Sequence, residues 1–523
     1  MSLSIAFILF LAVMLPLYFL TPRRYRWVTL LVAGLVFYTF SGLQNLGLLL
    51  ALTAVTYLFG RLLGRSLDHQ NATLNARRAD GTWDKPTRRA FRDTCEKKRK
   101  WLLAAAIVLD LSLLVVFKCE GLFVRWTYRL TGIYIDMKWV IPLGLSYVTL
   151  SAVGYLIDVS RGHIKSERSP WRFALFMFYF PQMWQGPINR YGELAPQLSA
   201  PHPFDGQRAL HGALRALWGG VKKVVVANTV GVAVYNLTNG SHEYGGAWTW
   251  LTVLLYSIQI FADFTGGIDI CLGISHVLGI DLYENFDRPF GSYSVADYWR
   301  RWHRTLGRFF TDYVFYPLST SRLSQKMAKI SRKLPLWMAT LLTWVLTGLW
   351  HGADGNFVVW GLFNGLFILL SQECRPLRRR LVARFPRMAK SRLLPALCCF
   401  GTLFTVGLFR TLDLCSDPLV TLSLWWRALT PKAIAGVFDG ALWSSLGLSA
   451  PEWVLIILGV VAMWLVGRAT PRVGEKDSPS LADRLLRRPF LLAVVCALMV
   501  VCIAVLGHYG VGYDAMDFIY GQF

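Results

Sequence analysis

The stretch Tyr298–Gly352 decides the fold. It opens Tyr298-Trp299-Arg300-Arg301-Trp302-His303-Arg304 and continues through Phe309-Phe310-Thr311-Asp312-Tyr313. A basic, polar strip follows from Ser319 to Lys333, and then an uncharged apolar run, Leu334–Trp350, that delivers His351-Gly352. A run of that length reads as a membrane-length helix. One histidine sits in a basic, tryptophan-rich entrance, the other at the far end of the helix. Imidazole titrates near neutral pH and is the usual general base for activating a hydroxyl. Two histidines at opposite ends of one apolar segment predict chemistry that connects two faces of a membrane.

The same texture extends in both directions. The 523 residues are 54% hydrophobic and only 16% charged, with a mean hydropathy of +0.41. A soluble chain carries about a quarter charged residues. Apolar runs recur from Ser4–Leu20 through Leu46–Leu63, Trp101–Phe117, Leu251–Leu272 and Phe357–Leu370 to Phe490–Leu506. The chain therefore reads as an all-α polytopic integral membrane protein with about 11 spans or partial spans. The runs do not alternate with period two, which argues against a β-barrel. Phe173–Trp184, at about a dozen residues, suits a re-entrant helix. Leu210–Val234 is amphipathic and carries Arg215, Lys222 and Lys223.

The net charge is +24, from 55 Lys and Arg against 31 Asp and Glu. These cations gather between apolar runs, at 61–100, 161–168, 300–333, 375–392 and 468–488. That is the positive-inside pattern, and it puts those loops in the cytoplasm and both termini outside it. No exposed basic domain remains to bind nucleic acid. Residues 65–100 are expected to form a cytoplasmic basic loop, with one amphipathic helix over Lys85–Lys100. The longest outside segment, 410–452, suits an interfacial helix or a docking surface. With no soluble domain in view, residues 1–523 read as one membrane domain with its core at about 100–410. Arg23 and Arg24 follow the first apolar run, as in a signal anchor. Nine scattered cysteines without a C-x-x-C pair suggest neither a disulfide framework nor a zinc site. H-E-x-x-H, G-x-S-x-G and phosphate-loop patterns are missing, against a metalloprotease, a serine hydrolase or an ATP-driven pump.

Several stretches, in order and in membrane context, carry a resemblance. The main ones are Trp299-Arg300-Arg301-Trp302-His303 with Asp312-Tyr313, and Gly348-Leu349-Trp350-His351-Gly352-Ala353 with Val359-Trp360-Gly361. Gly186-Pro187-Ile188-Asn189-Arg190-Tyr191, Phe261-Ala262-Asp263-Phe264-Thr265-Gly266, Glu284-Asn285-Phe286 and the terminal Phe518-Ile519-Tyr520 support them. Together they resemble the membrane-bound O-acyltransferase (MBOAT) family, in the bacterial branch of alginate O-acetylation and teichoic-acid D-alanylation. Thr311, Ser319-Thr320 and Asn364 depart from the alginate-type pattern. The resemblance implies a bundle with re-entrant helices around a thinned centre, in a bacterial inner membrane. It also implies transfer of an acyl group, expected to be acetyl, from a cytoplasmic thioester to an extracytoplasmic polysaccharide or envelope polymer. The implied donor is acetyl-CoA or the phosphopantetheine thioester of an acyl carrier protein, with no bound cofactor. An extracytoplasmic or single-span acyltransferase partner is implied as well. The competing readings are D-alanyl transfer to teichoic acid, a transporter or flippase for a lipid-linked sugar, and a b-type haem protein.

Within that frame His351 is the candidate base, with Trp350 as a wall on one side and Gly352 as open backbone on the other. The plainer alternative is a core histidine ending its helix, although a polar group at membrane depth is costly. His303 lies among Arg300, Arg301, Arg304 and Arg308, cations expected to keep it neutral. Its alternative is an interfacial aromatic belt with Trp299 and Trp302. The arginines can bind donor phosphates, or can be positive-inside charge alone. Asp312 is expected to orient His303 or to pair with an arginine. Asp263 and Asp269 are expected to pair with basic residues of the central stretch or to line a polar cavity. Asn285 enters through the family motif.

Overall fold

A computed structural model of the chain describes residues 5–133, 142–239, 246–385, 391, 393–415, 417–475 and 480–508. Every regular element among them is helical, and eight helices are long and apolar enough to cross a membrane. Fewer meet that measure than the roughly eleven spans expected from apolar runs. Ile5–Leu20, Arg26–Thr39 and Leu145–Arg161 are only 16, 14 and 17 residues long. Phe173–Trp184 divides into two short helices, Pro170–Met177 and Phe180–Gln185. The Phe518-Ile519-Tyr520 motif lies outside the described residues.

Two compact units emerge, one of 6–205 with 278–282 and one of 206–277 with the chain from 283 onward. At the heart of the first is Leu145–Arg161, buried along its length from Leu145 to Ser160. It packs against Leu43–Ala79 and Lys85–Lys118. Leu43–Ala79 carries helix into the loop expected at 65–100, and the helix expected over Lys85–Lys100 is the first part of Lys85–Lys118. Leu43–Ala79 continues well past its apolar part and packs along Lys85–Lys118, where the buried Gln70 Oε1 accepts from Arg99 Nη1 at 2.7 Å. Lys85–Lys118 starts where the Asp84 carboxylate accepts from Thr87 N at 2.9 Å, with Pro86 in its first turn.

The second unit is built on two helix pairs. Helix Gly206–Asn239 runs antiparallel to Ala247–Val277. Glycines two turns apart meet across the pair, Gly212 with Gly273 and Gly219 with Gly266. A Cβ on Gly219 would stand 2.6 Å from the Gly266 carbonyl oxygen. Small residues at such a seam let backbones approach where lipid supplies no hydrophobic drive. A π-helical segment, Val221–Ala227, interrupts the first helix, and the consecutive Lys222 and Lys223 are both buried in it. The second pair is Leu334–His351 with Gly355–Glu373. A Cβ on Gly361 would lie 2.3 Å from the Trp344 carbonyl oxygen, so only glycine admits this spacing. At the other end of the hairpin Glu373 binds Lys333 and accepts from Trp337 Nε1 at 3.3 Å.

Candidate active site

The seam of the second hairpin determines where His351 stands. On Leu334–His351, the spacing of Thr340, Thr343, Thr347 and His351 keeps them along one helical face. All four line a cavity of about 840 Å³, within the ordinary range for small-molecule sites. His351 is 8% exposed, and its ring meets Trp350 and Trp360 edge to face at 4.8 and 5.1 Å.

His303 lines the same cavity. Its ring lies 6.1 Å from that of Trp350 and 4.9 Å from Phe264. The two histidines thus share one indole and are not at opposite ends of a membrane segment. The opposite-face expectation fails because 304–333 does not extend along the helix. It breaks into Arg304–Phe310, the π turn Thr311–Phe315, Tyr316–Ser319 and Arg322–Ile330, after which Leu334–His351 returns to the starting point.

His303 adopts a left-handed backbone, φ 48° and ψ 52°, costing about 1–2 kcal/mol for a residue with a Cβ. The chain holds it there through Asn285, which is fully buried. Asn285 Oδ1 accepts from Thr305 N at 3.1 Å and Thr305 Oγ1 at 2.9 Å, and faces His303 Nδ1 at 3.2 Å. A backbone N–H can only donate, so the Asn285 atom at this point is its oxygen, and His303 Nδ1 carries the proton. Nε2 is left as the acceptor nitrogen of a neutral ring.

Burial, and secondly the Arg410 guanidinium, push the His303 pKa down to about 3. The neutrality expected from four neighbouring arginines therefore has another source. Arg410 ends helix Leu393–Arg410 and is 2% exposed. Its guanidinium stacks 4.2 Å over Trp302, and Nη2 donates to Tyr298 Oη at 3.2 Å. Trp302, stacked in turn on Tyr298, lines the cavity beside His303. A lone cation closing an apolar run is the signal that marks Arg410 in the sequence.

Five arginines line the cavity, Arg300, Arg304 and Arg308 from one side of the sequence and Arg375 and Arg379 from another. No carboxylate is among the lining residues. Arg304 and Arg308 both stack on the Tyr283 ring at 5.2 Å. Arg301 is directed elsewhere, to Asp297 at 2.9 Å, and is not part of the lining. Asp312 does not line the cavity either, and the group facing His303 Nδ1 is Asn285. Asp263 pairs with Lys223 at 2.5 Å and Asp269 with Lys222 at 2.6 Å, both lysines on Gly206–Asn239. Asn364 accepts from Trp299 Nε1 at 2.9 Å, fixing a second cavity wall.

The model of the membrane-bound O-acyltransferase family matches residues 35–396. The chain belongs to that family. The probable alginate O-acetylase AlgI of Pseudomonas syringae pv. tomato is 30% identical over 383 residues, 71% of this chain and 66% of that protein. The peptidoglycan O-acetyltransferase of Helicobacter pylori is 28% identical over 56% of this chain and 59% of its own length. The teichoic acid D-alanyltransferase of Streptococcus thermophilus is 29% identical over 44% and 56% respectively. This MBOAT chain thus spans about two thirds of the alginate relative, and the matched region contains both histidines.

Proposed function

We propose that the protein is an O-acyltransferase of a bacterial inner membrane. It moves an acetyl group from a cytoplasmic thioester, acetyl-CoA or a carrier-protein phosphopantetheine, toward hydroxyls of an extracytoplasmic polysaccharide or other envelope polymer. One observation carries the reading: a single cavity joins two buried histidines to five arginines and contains no carboxylate. The arginines suit the phosphates of the donor, because their planar forks bind phosphate oxygens in pairs. The threonine face of Leu334–His351 suits the polar arm between phosphate and thioester. His351 removes the proton of the acceptor hydroxyl, whose oxygen attacks the thioester carbonyl. The C–S bond breaks, an ester forms, and the departing sulfur takes the proton from His351 and leaves as the thiol. His303 Nε2 accepts a hydrogen bond from a second hydroxyl of the acceptor and so orients the reacting one. Thiol release makes the transfer favourable without a further energy source.

A partner that carries the acyl group onward fits the segment at 410–452. It consists of Thr411–Leu414, Pro418–Arg427, Pro431–Gly436 and Gly440–Ser444, with Leu419, Trp426 and Phe438 exposed. Both termini lie outside the cytoplasm in this reading. Purified protein given acetyl-CoA and a hydroxyl acceptor should release free thiol and form ester. Cells without the gene should lack ester groups on an envelope polymer by mass spectrometry. Absence of thiol release from either donor class, together with unchanged polymer esters, would refute the proposal. Polymer acylation by the purified protein alone would remove the partner. A cysteine placed within 77–89 should label only from the cytoplasmic side.

A further inference from the structure

Outside the cavity, one cluster of charge grips the loop that holds His303. Arg215, on Gly206–Gly220, donates from Nη1 and Nη2 to Oε1 and Oε2 of Glu284 at 2.6 and 2.8 Å. Its Nε donates to Asp269 Oδ1 at 2.9 Å, and Asp269 Oδ2 accepts from Lys222 Nζ at 2.6 Å. Two cations balance two anions. Glu284 directly precedes Asn285. On the other side of the loop, Arg304 Nη1 donates to the Glu284 carbonyl at 3.3 Å and Arg304 N to the Asn285 carbonyl at 3.0 Å.

Partly exposed ion pairs are poor evidence for stability, since solvent screens most of their attraction. A bidentate arginine–carboxylate fork supplies geometry instead: two parallel bonds fix both the position and the plane of the carboxylate. Here that geometry has a recipient. The fork fixes Glu284, the chain carries the constraint one residue to Asn285, and Asn285 Oδ1 sets the His303 ring. We propose that Arg215, anchored by Asp269 and Lys222, is a positioning residue for His303, acting through the Glu284 fork and Asn285. The kinetic part of the test rests on His303 belonging to the transfer site.

The test uses the full-length protein in detergent with acetyl-CoA as donor, and Glu284→Gln, which leaves Arg215 paired with Asp269. A loop free to shift by an ångström should lower kcat by at least about tenfold. The donor KM should stay within about twofold, because uniform binding is untouched. In an Asn285→Ala background the same substitution should change kcat by less than about twofold, since groups acting in series are non-additive. Equal fold losses in the two backgrounds overturn the proposal. A second readout needs no turnover: carbethoxylation of His303 by diethyl pyrocarbonate, measured by peptide mass spectrometry with His351 as internal reference. The His303-to-His351 rate ratio should change at least about threefold in Glu284→Gln, as the first ring loses its support and the second does not. An unchanged ratio overturns the proposal even if kcat falls. If the wild type releases no thiol, or Asn285→Ala does not fold, the ratio alone decides.

Discussion

Replacing Asn285 with alanine removes one oxygen that serves three donors, His303 Nδ1, Thr305 N and Thr305 Oγ1, at 3.2, 3.1 and 2.9 Å. Each buried donor left unmatched costs at least about 1 kcal/mol, so the gross loss is at least about 3 kcal/mol. Relaxation of the left-handed His303 backbone returns about 1–2 kcal/mol. The variant should therefore fold with a modestly lower melting temperature. Its rate should suffer more, because the ring no longer has a fixed tautomer. A positioning group misplaced by about an ångström can cost about 10²-fold, so kcat should fall by about 10². Asn285→Asp separates geometry from charge. It keeps an acceptor for all three donors but sets an anion against His303, which must raise the ring's pKa from about 3. Below the new pKa Nε2 is protonated and can no longer accept. The assay is thiol release from acetyl-CoA between pH 5 and 9. The aspartate variant should gain an acid limb that His303 cannot produce in the wild type. An alanine variant with more than about half of wild-type kcat, or an aspartate variant with the wild-type pH profile, would refute the reasoning.

Two further outcomes follow from the same cavity. Arg300→Gln combined with Arg375→Gln should raise the acetyl-CoA KM at least about tenfold with kcat little changed, because both guanidinia line the cavity. Acetyl-pantetheine, which lacks the phosphates, should not distinguish the variant from the wild type. The second outcome concerns stability. His303 titrates near 3 when folded and near 6.5 when unfolded, so the unfolded state binds more protons between those values. Its contribution is complete above about pH 6.5 and is lost as pH falls toward 3. The melting temperature should drop from pH 7.5 to 4.5, and His303→Asn should flatten that drop.

Much of the helical framework could be read from apolar runs. Leu334–Trp350 ends one residue short of the helix Leu334–His351, and Phe490–Leu506 one residue inside Pro489–Leu506. Hydropathy failed where helices leave the apolar layer: Leu43–Ala79 runs sixteen residues past Leu63, held against Lys85–Lys118 by polar contacts such as Gln70 with Arg99. The site was legible residue by residue but not as an arrangement. His303 and His351 were evident as polar groups in costly surroundings, yet their shared indole depends on the fold-back of 304–333, which no period in the sequence reports. Arg410 lies more than a hundred positions from Trp302, and no spacing in the sequence links the two. Arg301 and Asp312 looked equivalent to their neighbours because helical facing, not composition, decides which side chains reach a cavity. Asp269 and Glu284 show the same limit, since their common partner Arg215 belongs to a helix read only as amphipathic.

The central claim is that His351 is the base that activates the hydroxyl. His351→Ala, purified beside the wild type, should be compared for ester formation from acetyl-CoA and a hydroxyl acceptor and for melting temperature. The ring meets Trp350 and Trp360 at the end of its helix and is almost fully buried. The account predicts a loss of ~10²–10⁴-fold in ester formation with a nearly unchanged melting temperature. A variant that keeps more than about a tenth of wild-type turnover would contradict it, because a general base of this kind contributes at least about 10²-fold.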